Sequence, residues 1–159
     1  MQSARRLIAA VGICLRLLAG LSVASAMVPV GGTEPGVRGY WQEPSGAVIE
    51  IAPCAEGLCL RIVALSPGEH PHTDAHNPDA KLRGRALCGL RIGHDFTQID
   101  PQHAAGGHLY DPRSGHTYSG SMTAQGNKLK LRGYLGIQLL GRTEIWTRVG
   151  PGQASCTAT

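Results

Sequence analysis

The sequence predicts an all-β domain of about eight short antiparallel strands, arranged as a sandwich or a closed barrel. Short apolar and β-branched runs recur along the chain, turn sequences rich in Gly and Pro separate them, and one segment alone has helix start and stop signals. With 159 residues, 22 glycines and 10 prolines, the chain suits one domain and does not suit a helical bundle.

The sequence of the first half of the domain predicts four strands, two of which form a hairpin. Gly39–Gln42 is the first predicted strand, and Ala47–Ala52 and Leu58–Leu65 are apolar, partly β-branched runs on either side of a short turn. Arg85–Ile92 is predicted as a further strand in the middle of the chain.

The second half predicts four more strands. The turn sequence Asp111-Pro112-Arg113-Ser114-Gly115 has Pro at a turn position and a Gly that can adopt positive φ, so Leu109–Asp111 and His116–Met122 are predicted to form a hairpin. Lys128–Arg132 alternates basic and apolar residues, the pattern of a strand with one wet face. Thr143–Val149 is the last predicted strand.

One short helical turn is predicted over Asn77–Gly84, which offers an N-cap Asn, Pro at the first helical position and a terminating Gly. This turn lies in a long connection from Ser66 to Gly84, and long connections often carry function. We expect a linker over residues 27–37, the β-domain over residues 38–150 and a C-terminal tail over residues 151–159.

Residues 1–26 have the features of a secretory signal peptide. Arg5 and Arg6 precede an apolar stretch from Leu7 to Gly20, and Ala24-Ser25-Ala26 supplies the small residues of a cleavage site. Arg16 interrupts the stretch, which is also shorter than the roughly 20 residues that cross a bilayer. We therefore expect cleavage after Ala26, no stable membrane span afterwards, and a periplasmic or secreted protein.

Cleavage would remove most of the positive charge. The predicted signal peptide carries three of the 15 basic residues and no acidic residue, which leaves 12 basic against 11 acidic residues, a net charge of +1. Nucleic-acid binding needs a basic face that neutralises several phosphates. We therefore expect no nucleic-acid partner.

Four cysteines remain after cleavage, an even number in a compartment that permits disulfides. Cys54 and Cys59 flank a predicted hairpin turn, where facing strand ends hold their α-carbons near the disulfide distance. We predict the pairs Cys54–Cys59 and Cys88–Cys156, the second holding the C-terminal tail. A zinc site is the alternative, but the spacing differs from that of a zinc knuckle.

Short motifs distributed over nearly the whole chain after residue 38 resemble one known family. They include Gly39-Tyr40-Trp41, Asp74–Asp79, Leu82–Leu90, Tyr110-Asp111-Pro112, Leu131–Gly136 and Trp146-Thr147-Arg148. They are similar to an uncharacterised family of exported bacterial proteins catalogued as domain of unknown function twenty-one forty-seven. The resemblance implies a lipocalin-like, up-and-down antiparallel barrel and no particular biochemistry.

In lipocalin-type barrels a Gly-x-Trp on the first strand and an Arg on the last close one end, with the cation over the indole. The residues here that are similar to that arrangement are Trp41 and Arg148. We interpret this pair first as a structural closure, with a role in ligand binding as the alternative.

Polar side chains on the predicted strands supply the other candidate ligand-binding residues. Arg combined with Tyr suits a carboxylate or phosphate held beside an apolar tail. These candidates are Arg83, Arg85, Tyr110, Asp111, Tyr118, Arg132 and Tyr134. The alternative is that they form structural networks with Asp111 and Glu144, or face water.

His70, His72, Asp74 and His76 fall at every second position, and neutral imidazole is a ligand for zinc, copper or nickel. We predict a polar loop without a stable metal, and no cofactor; a metal site is the alternative. The sequence has no nucleophile elbow, zinc-protease helix motif or phosphate loop. We therefore expect a protein that is not an enzyme.

These observations together predict an exported β-barrel that binds a small amphipathic or anionic ligand. The first alternative is an interaction or structural protein of the cell envelope, with a barrel filled by side chains and the Ser66–Gly84 segment as its docking surface. The second alternative is a metal-binding protein or enzyme that uses His70–His76.

Overall fold

The computed structural model describes residues 36–156. Within this range eight antiparallel strands follow one another in chain order and close into a barrel, with the first strand paired to the last. This confirms the predicted all-β, up-and-down barrel. The strands are β1 Gly39–Gln42, β2 Val48–Cys54, β3 Gly57–Ala64, β4 Arg91–Asp100, β5 His103–Asp111, β6 His116–Gln125, β7 Lys128–Tyr134 and β8 Arg142–Val149.

The predicted signal peptide, nearly all of the predicted linker and the last three residues of the predicted tail lie outside the described residues. Residues 36–156 contain no helix that is long and apolar enough to cross a membrane.

Alternation between the two faces of each strand builds the core. In β7, Leu129 and Leu131 are buried in the barrel while Lys128 and Lys130 are exposed, as the basic and apolar alternation predicts. Phe96 is fully buried in the centre of the barrel.

Glycines on neighbouring strands make room for the Phe96 ring. A Cβ atom at Gly107 would lie 2.3 Å from the ring, and a Cβ atom at Gly120 would lie 2.8 Å from it. Because only glycine permits this approach, the ring fills the space that two side chains would otherwise occupy.

The prediction of a strand over Arg85–Ile92 is wrong for all but its last two residues. β4 begins at Arg91, and the residues before it belong to the β3–β4 loop (residues 65–90), where Thr73 and Ala86 form an isolated bridge. Most of strand β4 is not predicted from the sequence, because register shifts in its pairing with β3 and a positive φ at Asp95 interrupt the alternation of buried and exposed side chains. The structure also extends β5 back to His103, through a run of small residues without β-branched side chains.

The predicted helical turn is shorter than expected and is not alone. A 3₁₀ turn covers Ala80–Leu82, with Asp79 rather than Asn77 at its N-cap, where the Asp79 carboxylate accepts a 3.0 Å hydrogen bond from the Lys81 N–H. Two further 3₁₀ turns occupy Gln138–Leu140 and Pro151–Gln153, so the described residues hold three helical turns instead of one.

Both predicted disulfides are present. Cys54 and Cys59 join the β2–β3 hairpin with α-carbons 5.8 Å apart, and Cys88 and Cys156 join the β3–β4 loop to the C-terminal segment with α-carbons 5.5 Å apart. The Cys156 N–H also donates to the Val63 carbonyl at 2.8 Å, which lays this segment along β3. The two disulfides indicate an oxidising environment outside the cytoplasm.

Candidate functional site

A cavity of about 570 Å³ opens at one end of the barrel. Its mouth is bordered by the β1–β2 turn (residues 43–47), the start of the β3–β4 loop, the β5–β6 turn (residues 112–115) and the β7–β8 loop (residues 135–141). Its walls are mostly apolar and include Ile49, Ile62, Ile92, Leu109, Leu131 and Trp146. Cavities of this size hold small-molecule ligands.

Charged side chains line the same cavity, and acids outnumber bases. The acidic ones are Glu43, Glu69, Asp111 and Glu144, and the basic ones are Arg113 and Arg142, so the lining has a formal charge of −2. The net negative charge disfavours an anionic group at this position.

Arg113 is already paired at the mouth. Its Nη2 lies 3.1 Å from Glu43 Oε2 and its Nε lies 3.6 Å from Asp111 Oδ1, so it ties the β5–β6 turn to the β1–β2 turn. Burial acts to lower the pKa of Arg113, but the charges of Glu43, Asp111 and Glu144 outweigh burial and raise it. Arg113 therefore remains a cation that is committed to neighbouring carboxylates.

Strand β8 supplies two charged residues that the sequence analysis did not select as ligand-binding residues. In the β7–β8 register Arg142 faces Gly133 and Glu144 faces Leu131, on the inner face that also carries Trp146. The Glu144 Oε2 atom accepts a 3.0 Å hydrogen bond from the Trp146 indole N–H. The sequence could have revealed these two residues, because Arg142 and Glu144 alternate along β8 with the same period as Trp146 and so share its face.

Four of the predicted ligand-binding residues line the cavity, and five do not. Those in the lining are Tyr110, Asp111, Tyr118 and Tyr134, and those outside it are Trp41, Arg83, Arg85, Arg132 and Arg148.

Arg132 lies on the outer face of β7. Its Nε and Nη2 atoms donate to the Gln138 carbonyl at 2.9 and 2.7 Å, and its Nη1 donates to Thr143 Oγ1 at 2.8 Å. Arg132 therefore fixes the β7–β8 loop and takes no part in the cavity lining.

Asp74 is the centre of a buried polar network under the β3–β4 loop. It is 0% exposed, and its carboxylate accepts hydrogen bonds from Arg85 Nε (2.8 Å), Asn77 Nδ2 (2.7 Å) and the Tyr110 hydroxyl (2.5 Å). Arg83 supports the same loop, since its Nε donates to the Asn77 carbonyl at 2.8 Å. These contacts give Arg83 and Arg85 structural partners in the loop.

The network also uses Asp74, which the metal alternative assigned as a ligand. His70 and His72 stack with ring centroids 4.7 Å apart, and His76 is exposed. In this arrangement no three of His70, His72, Asp74 and His76 lie close enough to share an ion.

Within residues 36–156, one group of metal-ligating residue types lies close enough to share an ion: Cys54, Glu56 and Cys59. Its two sulfurs form a disulfide and so offer no thiolate.

The end of the barrel opposite the mouth is closed by Trp41 and Arg148. The Arg148 guanidinium lies 4.0 Å from the centre of the Trp41 ring, and the fully buried indole N–H donates to the Val37 carbonyl at 2.8 Å. Arg148 also donates to the carbonyls of Gly36 and Arg38. Burial lowers the pKa of Arg148. The geometry is that of a structural closure, away from the cavity.

Comparison with known proteins agrees with the barrel geometry. The model of a family described as "uncharacterized protein conserved in bacteria (DUF2147)" matches residues 39–148. A search of curated proteins gives no match. Among solved structures the chain is similar to protein HP1028 from Helicobacter pylori, described as belonging to the lipocalin family, with 21% identity and a TM-score of 0.65 over 76% of this chain and 85% of that chain. The fold is therefore lipocalin-like, and the chain belongs to the bacterial family whose model it matches.

Proposed function

We propose that this protein binds one small amphipathic molecule, with the apolar part of the ligand in the cavity and its polar part at the mouth. The observation that carries the proposal is the open cavity of about 570 Å³ with apolar walls and charged groups among its lining. An empty volume of this size favours a ligand-binding barrel over an envelope protein whose barrel is filled by side chains.

The charges of the lining narrow the class of ligand. Arg113 is paired with Glu43 and Asp111, so Arg142 is the cation of the lining that remains for an anion. Glu144 lies on the inner wall beside Arg142 and keeps a carboxylate near any bound polar group. We therefore propose a ligand with a neutral or positively charged polar group, in place of the anionic group that the sequence suggested.

The proposal places this binding in the periplasm or outside the cell and includes no catalytic step. The two disulfides support the location. The absence of a reaction remains part of the proposal, supported by the engagement of Glu43 and Asp111 in ion pairs with Arg113.

Two matched fluorescent probes test the proposal. N-phenylnaphthylamine is neutral, and anilinonaphthalene sulfonate has a similar aromatic body with an anionic group. We expect the neutral probe to bind with one-to-one stoichiometry and at least about tenfold more tightly than the sulfonate, because of the negative lining. Preference for the sulfonate would contradict the proposed ligand class.

A cavity-filling variant locates the bound probe. Gly133 lines the cavity, and a Cβ atom there would meet Tyr118 Cβ at 3.6 Å, an ordinary contact, so Gly133→Leu places a side chain in the cavity without a backbone clash. Gly150→Leu is the control, since Gly150 has φ −80° and open space around it at the closed end. We expect Gly133→Leu alone to weaken binding; equal binding by both variants would refute the cavity as the site.

A further inference from the structure

The β7–β8 loop exposes an unusual concentration of aliphatic side chains. Leu135 is 63% exposed, Ile137 59%, Leu139 83% and Leu140 77%, all within six consecutive residues. Single exposed apolar residues are common, but a contiguous exposed cluster marks an interaction site. This cluster, Leu135, Ile137, Leu139 and Leu140, is called the aliphatic tip below.

The fold holds the aliphatic tip in place. The 3₁₀ turn Gln138–Leu140 forms its end, and Arg132 donates from the outer face of β7 to the carbonyls of Gln138 and Leu139. The Gln138 side-chain amide also donates to Ser121 Oγ at 3.0 Å. These bonds present the aliphatic side chains outward at the end of a hairpin.

The residues at the base of the tip suit a lipid surface. No acidic residue occurs between Lys128 and Thr143, whereas Arg132, Tyr134 and Arg142 flank the loop. Tyr and Arg are favoured at the level of lipid headgroups, below apolar side chains that enter the acyl region, and Arg is attracted to anionic lipids.

The tip is also continuous with the cavity. Leu135 and Leu140 belong both to the exposed tip and to the cavity lining, so apolar surface extends from the cavity onto the loop. A surface that supplies or receives amphipathic molecules would therefore meet the mouth of the cavity at this loop.

We propose that the aliphatic tip, with Arg132 and Arg142 at its base, docks onto a lipid bilayer that contains anionic lipids, with Ile137 and Leu139 entering the acyl boundary. This inference goes beyond the proposed function, because docking needs no bound ligand and ligand binding needs no docking.

Vesicle flotation tests the inference. Protein purified after export from a bacterial host is mixed with vesicles of equal parts phosphatidylethanolamine and phosphatidylglycerol, and in parallel with pure phosphatidylcholine. The double variant Ile137→Ser with Leu139→Ser removes the apolar surface of the tip and leaves the cavity lining unchanged. The matched control is Ile99→Ser, because Ile99 is 68% exposed at the end of β4 away from the mouth.

We expect the exported protein and Ile99→Ser to float with the anionic vesicles, and the double variant to lose at least about tenfold in vesicle affinity. A blue shift of Leu139→Trp fluorescence on vesicle addition would support insertion of the tip. Three results would overturn the proposal: no flotation of the exported protein, equal flotation of the double variant, or an equal loss in Ile99→Ser.

Self-association is a separate outcome of the same variants. If sedimentation shows a dimer that the double variant abolishes, and neither protein floats with vesicles, the tip is a contact between two copies and the lipid proposal fails. Probe binding in the cavity is measured on the double variant as well. If the double variant still binds the probe but no longer floats with vesicles, the docking proposal is supported and the proposed function is unaffected. If the exported protein binds the probe but does not float, the docking proposal alone fails.

Discussion

At the scale of single residues, Asp74 shows how a charge comes to be buried in this protein. Its carboxylate receives hydrogen bonds from Arg85, Asn77 and Tyr110, which belong to the β3–β4 loop and to β5. A buried carboxylate is tolerated when charge and hydrogen bonds compensate its lost hydration. The result is a polar anchor that fixes the 26-residue β3–β4 loop to β5 through the Tyr110 hydroxyl.

Loss of this carboxylate should be costly. We expect Asp74→Ala to lower the free energy of unfolding in urea by about 3 kcal/mol, because it leaves the buried donors around it without their acceptor. The control is Asp79→Ala, which removes an exposed N-cap and should cost about 0.5–1 kcal/mol. Equal losses in the two variants would contradict the central role of Asp74.

The Tyr110 hydroxyl gives the same network a dependence on pH. Burial raises the pKa of Tyr110, and the hydrogen bond to Asp74 raises it further. Because the folded state resists loss of this proton more than the unfolded state, its stabilising contribution is complete below the unfolded pKa and disappears as the pH rises through the folded pKa.

We therefore expect stability to fall more steeply above about pH 10 in the natural protein than in Tyr110→Phe. Urea unfolding at a series of alkaline pH values measures the difference. Tyr118→Phe is the control, since the Tyr118 hydroxyl lies outside the Asp74 network. Parallel pH profiles for the natural protein and Tyr110→Phe would show that the network does not control alkaline stability.

At the scale of elements, the two disulfides close loops of very different length. The sequence separation is 5 residues for Cys54–Cys59 and 68 residues for Cys88–Cys156. The short loop reinforces a hairpin that its strands already define, whereas the long loop joins the β3–β4 loop to the C-terminal segment along β3. The loop-entropy model assigns about 2 kcal/mol to the first and about 4 kcal/mol to the second.

Paired serine variants test this difference. Cys88→Ser with Cys156→Ser should lower the free energy of unfolding by roughly twice as much as Cys54→Ser with Cys59→Ser. Urea denaturation of both double variants gives the comparison. A larger loss for the short loop would mean that strain or packing outweighs loop entropy in this fold.

Sequence pattern predicts those elements whose alternation is regular. Lys128–Arg132 has one wet and one dry face, and it is found as β7 with the predicted orientation. The same period places Arg132 on the face of Lys128 and Lys130, so the pattern itself indicates that Arg132 faces outward. Strand β4 could not be predicted in this way, because its register shifts depend on pairing with β3 and β5.

The candidate site was harder to predict than the fold. Tyr118 and Asp111, which the sequence suggests as ligand-binding residues, line the cavity. The ion pair of Arg113 with Glu43, however, joins residues 70 positions apart. Such a contact depends on the closure of the barrel, which local sequence does not encode. The pairing of Asp74 with Tyr110 has the same origin.

At the scale of the whole molecule, closure depends on a short seam. β1 has four residues and pairs with β8 through three register partners, whereas β6 and β7 pair through seven. The cation–π contact and the backbone hydrogen bonds of Trp41 and Arg148 lie on this seam. This short pairing is thus reinforced by specific side-chain contacts, since Trp41 and Arg148 are themselves register partners.

Hydrogen exchange can measure this reinforcement. In Trp41→Phe, which loses the indole donor to the Val37 carbonyl, we expect amides of β1 and β8 to exchange at least about tenfold faster while those of β5 and β6 change little. Uniform acceleration over all strands would indicate that the pair stabilises the barrel as a whole and not the seam.

The closed end also determines how the proposed ligand would enter and leave the barrel. Because Trp41 and Arg148 close one end, a molecule bound as proposed would enter and leave through the same opening. A ligand bound as proposed would therefore not pass through the barrel from end to end. Under the proposed function, one ligand would have to leave before another could enter, and both would pass the rim where Glu43 and Arg113 form an ion pair.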